Sequence, residues 1–366
     1  MPRVVGHIDL DYFYAQVEEV ENPPLRGRPV IVCVFSGRTE DSGVVSTANY
    51  VAREFGVHSG MPIVQAKKKL EGQNSEVIRM DHEKYEMVSS RIMEELERMV
   101  DVLEPTGIDE AFFDLTGSTG EDYGRARRSA ESIKEAILKS EQLTCSVGIG
   151  RSKVVAKLGS DIAKPGGLKV VLPETTESFL APLDVSKLYG VGPKTSSTLG
   201  EMGVRTIGEL ARAAPSELER RFGGKFGGYL LAAATGTDPD PVVAGLEPTQ
   251  FSRIVTLRRD TRDPKEVADQ LSEGIGYVHG KLEASGKRFR TVTAIGILTD
   301  LSTKTKSKTF ETAVSDLPLI REAVPALFDE LSRAVGKDFR RAGVRLSGLE
   351  GAEDQTSLSE FLHPAR

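Results

Sequence analysis

A multidomain α+β architecture is what this sequence predicts, on three observations. At 366 residues the chain exceeds what one hydrophobic core serves, which argues for roughly two to four domains. Strand-like and helix-like periodicities run in the order β-α-β-β-α-β, and that order comes a second time beyond residue 250. Between the two lies a helical, short-looped stretch over 171–238, closed by the turn-rich run Gly236-Thr237-Asp238-Pro239-Asp240-Pro241.

The first unit starts with a strand over 3–8. Tyr85, Val88, Ile92, Leu96 and Met99 recur at helical spacing, and strand-like segments at 102–106 and 111–116 flank the turn Gly107–Glu110. A second helical stripe (Ala126, Ala130, Ile133, Ile137) and a strand at 144–149 complete the ferredoxin-like order, with 11–78 as an insertion that holds a strand at Pro29–Phe35. The second unit comprises a strand near 252–257, a helix after Pro264, strands at 291–298 and 306–311, a helix around 318–334 and a strand at 339–347. The polar stretch from Gly348 to Arg366 reads as a tail.

Composition narrows the function classes. An apolar fraction of 39% suits a soluble globular protein, and no segment approaches the ~20 apolar residues of a membrane span. The N-terminal apolar run breaks too early for a signal peptide. Cys33 and Cys145, the only cysteines, sit in apolar β-like runs as buried, reduced thiols, so a cytoplasmic location is expected. The net charge of −6 is unevenly spread: 81–122 hold 13 acidic against three basic residues, while 251–310 hold 12 basic against seven acidic. Acid in one place and base in another suits an enzyme that binds a polyanion, although solvated surface charge explains any single run.

In the ferredoxin-like topology the first strand lies beside the central hairpin, so Asp9 would meet Asp109 and Glu110. Three carboxylates at close range repel one another, and a hard divalent cation relieves that conflict. Two such ions are what in-line nucleotidyl displacement uses. Asp11 reads as the N-cap of the following helix. Tyr12, Phe13 and Tyr14 are either core aromatics or, for a Tyr near the metal, a stack beneath a sugar. Gly148-Ile149-Gly150 is no dinucleotide fingerprint, because its third glycine is missing; it reads as a strand-to-helix turn near phosphate.

Five segments in register resemble the Y-family translesion DNA polymerases of the archaeal DNA polymerase IV (DinB-type) group. They are Ile8–Glu18, Val45–Arg53, Gly107–Ala111, Ser146–Lys153 and Ala163–Gly167, within a similarity that runs from residue 3 to about 347. The resemblance implies a palm over 1–10 and 79–170, fingers over 11–78, a thumb over 171–238, a linker over 239–250, a little finger over 251–348 and a tail over 349–366. It implies two Mg²⁺ ions held by Asp9, Asp109, Glu110 and the Leu10 carbonyl, with Tyr14 as a steric gate against ribonucleotides. Tyr50, Arg53 and Lys164 would hold the dNTP triphosphate, in keeping with the forked guanidinium and the compact ammonium. Arg53 as a surface helix residue and Lys164 as a solvated side chain are the plainer readings. The family often has Ser where this chain has Gly107, which bears on how firmly Asp109 is placed.

Three further segments concern partners. Gly190-Val191-Gly192-Pro193-Lys194 resembles a helix-hairpin-helix, which binds DNA phosphate through backbone N–H groups without reading sequence; a plain inter-helix turn is the alternative. Lys287, Arg288, Arg290, Lys304, Lys306 and Lys308 flank the strand Val292–Leu298, where they could track a duplex backbone or merely protect a sheet edge. Gln355, Leu358, Phe361 and Leu362 resemble a sliding-clamp-binding peptide. The expected protein is a monomeric, template-directed DNA polymerase of low fidelity, with no membrane role. A nucleotide cyclase and a catalytically silent DNA-binding scaffold are the rivals.

Overall fold

The computed structural model describes residues 3–245 and 247–351. Two compact units are present, one of Met1–Cys33, Val45–Met61 and Ala66–Leu246, the other of Val34–Val44, Pro62–Gln65 and Glu247–Arg366. Among the described residues no helix is long and apolar enough to cross a membrane.

Eight strands, β1 (Val5–Leu10), β2 (Val30–Phe35), β3 (Gly43–Ala48), β4 (Glu76–Arg79), β5 (Val102–Pro105), β6 (Glu110–Asp114), β7 (Cys145–Gly150) and β8 (Leu168–Val170), precede residue 171. They form sheets of order β5-β6-β1-β7-β8 and β3-β2-β4. Seven helices accompany them: α1 (Phe13–Glu21), α2 (Tyr50–Glu54), α3 (Ile63–Lys69), α4 (His82–Glu97), α5 (Thr116–Thr119), α6 (Tyr123–Glu141) and α7 (Lys153–Ala163). Strands β5, β6, β1 and β7 are the ferredoxin-like order, all antiparallel. Strand β8, parallel to β7, is an addition that its short sequence did not signal. The apolar faces of α4 and α6 pack on this sheet through Tyr85, Ile92, Ala130 and Ile133, and the same cluster takes in Phe13 and Val17 of α1. Helix α1, expected in the insertion, is thus bound to the palm sheet.

Glycines 148 and 150 lie inside β7, and α7 packs directly on them. A Cβ at Gly148 would lie 2.0 Å from the Ala156 carbonyl oxygen and 2.4 Å from the Ser160 nitrogen, so only glycine permits this approach. The expected passage from strand to helix follows at 151–152, while the glycines themselves lie at the end of the strand and serve helix-on-strand contact.

Residues 171–238 are helical as expected, with α8 (Thr176–Leu180), α9 (Pro193–Glu201), α10 (Ile207–Ala211), α11 (Pro215–Phe222) and α12 (Gly224–Ala234) around Leu180, Leu199, Leu210, Leu218 and Leu230. A capping box between Thr206 and Glu209 starts α10. The segment that follows is fastened to the palm. Arg3 donates to the carbonyls of Asp238 and Asp240 at 2.5 and 2.9 Å, and the Val243 N–H donates to Glu104 at 2.8 Å.

The C-terminal sheet has β9 (Gln250–Thr261), β10 (Lys287–Leu298), β11 (Thr303–Val314) and β12 (Phe339–Gly351), with α13 (Pro264–Gln270), α14 (Ser272–Ala284) and α15 (Leu317–Ala334). Its element order repeats that of the palm, but its strand order, β11-β10-β12-β9, differs. Helices α14 and α15 cover one face, where Val292, Ala294, Val344 and Leu346 are buried. Strand β12 runs to Gly351, so 349–351 belong to the sheet rather than to a tail. Gln355, Leu358, Phe361 and Leu362 lie outside the described residues.

Candidate active site

Asp9 is the penultimate residue of β1 and faces Glu110 across the antiparallel ladder, while the Leu10 N–H donates to the Asp109 carbonyl at 2.8 Å. The three residues therefore lie together at one end of the neighbouring interior strands β1 and β6. Burial, reinforced by the charges of Asp109 and Glu110, pushes the Asp9 carboxyl up to about 6 despite Lys164. Burial and then the Glu110 charge raise Asp109 as well. Glu110 moves the other way, to about 2, because His7 and Lys157 contact its carboxylate. At Gly107 a Cβ would stand 3.3 Å from Glu110 Cγ and 3.4 Å from Asp109 Oδ1, so a side chain there would touch both side chains and need at most a small shift of Glu110.

Helix α7 presents one face to this end of the sheet. Lys157 Nζ lies 2.5 Å from Glu110, the Ser160 hydroxyl lies 2.7 Å from His7 Nδ1, and Lys164, just past the helix end, reaches Asp9 at 2.7 Å. Burial lowers the buried His7, which leaves it neutral at pH 7. Sequence reasoning identified Lys164 and missed Lys157 and His7; the seven-residue spacing of the two lysines, two helical turns, was the available signal.

Asp11 does not cap α1. Tyr12, in the left-handed region at φ 35°, is the residue before the helix and gives no side-chain cap. The buried Asp11 carboxylate instead accepts from the hydroxyls of Thr144 and Ser146, both at 2.8 Å, and from the Gly166 N–H at 2.9 Å. Lys134 donates to the carbonyls of Cys145 and Gly166 at 2.5 and 2.8 Å. Together they hold the loop that carries Lys164.

Tyr14 stacks on the fully buried Tyr85, with ring centroids 4.4 Å apart and planes 18° apart. The Tyr85 hydroxyl donates to Glu18 at 2.6 Å, which leaves the Tyr14 ring little freedom. Tyr50 and Arg53 come from α2, whose N-cap Asn49 has all its bonds made: it accepts from the Ala52 and Val30 N–H groups and donates to Glu19 and the Arg28 carbonyl. The Arg53 guanidinium lies 4.9 Å from the Tyr50 ring centroid, and its Nε donates to the Ala48 carbonyl at 2.9 Å. Asp9, Leu10, Tyr14, Tyr50, Arg53, Asp109 and Lys164 line a single cavity of about 300 Å³, together with Ser46, Thr47 and Ser59. The Tyr50 hydroxyl is buried without a hydrogen-bond partner and so has capacity for a polar ligand.

Among the described residues no group of three His, Cys, Asp or Glu side chains is arranged to hold a metal, because Asp9 turns to Lys164 and Glu110 to Lys157. The donor set still fits a divalent cation. Asp9 and Asp109 are half-buried carboxylates whose ionised forms are disfavoured by desolvation and by neighbouring carboxylate charge, and carboxylate oxygen is the ligand that hard cations take.

In the helical segment Gly190 adopts φ 81°, and Gly192 and Lys194 are exposed at the start of α9, which has no side-chain cap. In the C-terminal sheet, register settles which face each basic residue takes. Lys304, Lys306 and Lys308 are opposite Gly296, Ala294 and Val292, hence on the helix-covered side; Lys306 pairs with Glu330 there at 2.8 Å. Lys287 pairs with Glu247, and Arg290 donates to the Glu311 carbonyl at 2.7 Å; Arg288 is opposite Glu350. The face without helices carries Thr291, Thr293, Thr309 and Ser307, and beside them Arg341 and Arg345; Thr293 is buried among its neighbours there, while Arg341 is exposed. The Arg345 Nε is buried without a partner.

Comparison with known proteins gives the same outline. Residues 8–161 match the impB/mucB/samB family, 248–359 its C-terminal domain, and 186–238 the DNA polymerase-iota thumb domain. DNA polymerase IV of Methanosarcina acetivorans is 42% identical over 99% of this chain and 100% of that protein. DNA polymerase IV of Nitrosopumilus maritimus is 38% identical over 98% and 99%. Among solved structures, a Y-family DNA polymerase chimera, Dbh-Dpo4(243-245)-Dbh, superposes with TM-score 0.89 at 34% identity, covering 95% of this chain and 99% of that one. An insertion ternary complex of Dbh DNA polymerase gives TM-score 0.69 at 33% identity, with the same coverage. With relatives of this identity matched over nearly the whole of both chains, the chain belongs to the Y-family, DinB-type DNA polymerases.

Proposed function

We propose that this protein is a template-directed DNA polymerase that continues synthesis past damaged template bases, and that Asp9, Asp109 and Glu110 are its metal-binding carboxylates. Family membership carries a general divalent-metal requirement; Mg²⁺, two ions per site, with the Leu10 carbonyl as a further ligand, is the specific form proposed. Bound there, the cation supplies charge neutralisation at the reacting phosphate and a more acidic primer 3′-hydroxyl. The observation that carries the reading is the single cavity shared by Asp9, Asp109, Tyr14, Tyr50, Arg53 and Lys164.

In the reaction the primer 3′-hydroxyl gives up its proton to solvent, O3′ bonds to the α-phosphorus of the dNTP, the bond from that phosphorus to the bridging oxygen breaks, and pyrophosphate leaves. Lys164 and Arg53 bind the triphosphate, and the Tyr50 hydroxyl supplies a hydrogen bond to it. Lys164 must exchange its contact with Asp9 for phosphate, so triphosphate entry frees that carboxylate for the cation. Tyr14, held by Tyr85, closes the space that a 2′-hydroxyl would occupy. His7 and Lys157 keep Glu110 ionised and oriented.

Primer-template DNA would be gripped at two further places without base reading. The first is the Gly190–Lys194 hairpin. The second is the uncovered face of the C-terminal sheet, where hydroxyls with Arg341 and Arg345 suit a phosphate backbone. Lys287, Arg288, Arg290, Lys304, Lys306 and Lys308 add positive charge around that sheet. A sliding clamp at Gln355, Leu358, Phe361 and Leu362, a monomeric state and a cytoplasmic place of work complete the proposal.

Primer extension with Mg²⁺ on intact and abasic templates tests it. The wild type extends both, and Asp109→Ala and Glu110→Ala extend neither; extension that survives both substitutions overturns the metal assignment.

A further inference from the structure

The hairpin is built on a contact that lies away from it in sequence. The Tyr229 hydroxyl, on α12, donates to the Tyr189 carbonyl at 2.6 Å, one residue before Gly190. A Cβ at Gly190 would stand 3.7 Å from the Tyr229 ring and 3.9 Å from Phe226, so these two rings form the floor beneath the turn. They are parallel to each other within 13°, with centroids 5.9 Å apart. Leu188 and Val191, both buried in the core of this segment, seat the turn from below, and the Val191 N–H closes back on the Leu188 carbonyl; Gly190 is in the left-handed region, and α9 starts without a side-chain cap. Its first N–H groups therefore keep their capacity for an outside acceptor.

We propose that Tyr229 is a positioning residue for primer-template binding: its hydroxyl and ring set the Tyr189–Gly192 turn so that the N–H groups at the start of α9 converge on one DNA phosphate. The inference rests on the hairpin's DNA role proposed above. Burial pushes the Tyr229 hydroxyl up to about 12, so it remains a donor throughout the working pH range. Tyr189, 61% exposed, contributes its carbonyl rather than its ring to the anchor. With Leu188 and Val191 fixing the ends of the turn, the Tyr229 bond sets the orientation of its exposed Tyr189–Gly192 stretch, and removing the donor costs about one net hydrogen bond.

The test is a titration of fluorescent primer-template DNA into full-length wild type, Tyr229→Phe, Gly190→Ala, the double variant and Phe222→Leu. Tyr229→Phe keeps the ring and removes only the donor. It is expected to raise the DNA Kd about fivefold, the worth of one such bond, while the KM for dNTP at saturating DNA holds at the wild-type value. Gly190→Ala weakens binding by straining the turn directly, and the double variant is no weaker than the worse single one. Phe222→Leu alters packing against Phe226 without touching the turn and retains wild-type affinity. Unchanged affinity in Gly190→Ala would remove the hairpin's DNA role. Weakened binding there with Tyr229→Phe at wild-type affinity would overturn the Tyr229 assignment alone. Equal losses in Phe222→Leu and Tyr229→Phe, or additive losses in the double variant, would assign the effect to general loosening and overturn it too.

Discussion

Asp9 shows how one position serves a reaction at the expense of the fold. Desolvation, reinforced by the charges of Asp109 and Glu110, pushes its carboxyl up to about 6 despite Lys164. A folded-state pKa above the ordinary carboxylate value means the ionised form is disfavoured in the fold. The corresponding stability is fully present below about pH 4 and is lost as pH rises through 6. Asp9→Asn should therefore raise the stability of the metal-free protein at pH 7 by about 1–2 kcal/mol, read by thermal melting in chelator, while abolishing polymerisation. A lower melting temperature would show that the Lys164 contact outweighs the burial. Tyr14 is constrained differently, by its stack on Tyr85. Tyr14→Ala should raise ribonucleotide relative to deoxyribonucleotide kcat/KM by about tenfold or more, measured by single-nucleotide insertion. An unchanged ratio would remove its gate role.

At the scale of elements, α7 and β7 do the most to build the site. Helix α7 brings Lys157, Ser160 and Lys164 over β1, and it gets there because Gly148 lets the backbones touch. Gly148→Ala should destabilise the protein by about 3 kcal/mol through overpacking, read as a lower denaturation midpoint in urea. A midpoint within error of wild type would mean that α7 can shift outward freely. This pair also shows what the sequence made legible. The β-α-β-β-α-β order was readable because long apolar stripes such as Tyr85–Met99 have one interpretation, and the order alone put Asp9 beside Glu110. The purpose of Gly148 was not readable, since a tight turn and a close helix contact both favour glycine. Asp11 was misread as a cap because its partners, Thr144, Ser146 and Gly166, are more than 130 residues away. Lys157 went unnoticed because its two-turn spacing from Lys164 gains meaning only once both carboxylate partners are known.

For the whole molecule, a run of charge in the sequence does not say which face of a sheet it takes, although Lys304, Lys306 and Lys308 are all exposed. Lysines 304, 306 and 308 drew notice as a run, yet strand register turns them to the helix-covered side, while Arg341 and Arg345 share the uncovered face. If that face follows a duplex, Arg341→Ala combined with Arg345→Ala should weaken DNA binding at every sequence and reduce the slope of log K against log salt by about 2. An unaltered slope would place the duplex elsewhere. The central claim, that Asp9, Asp109 and Glu110 serve nucleotidyl transfer, is tested most directly by single-turnover insertion of one dNTP while Mg²⁺ is titrated. Wild type should respond to Mg²⁺ with saturation, and Asp109→Ala and Glu110→Ala should each fall by about a thousandfold or more at any Mg²⁺ concentration. Insertion by both variants at near wild-type rates would contradict the account.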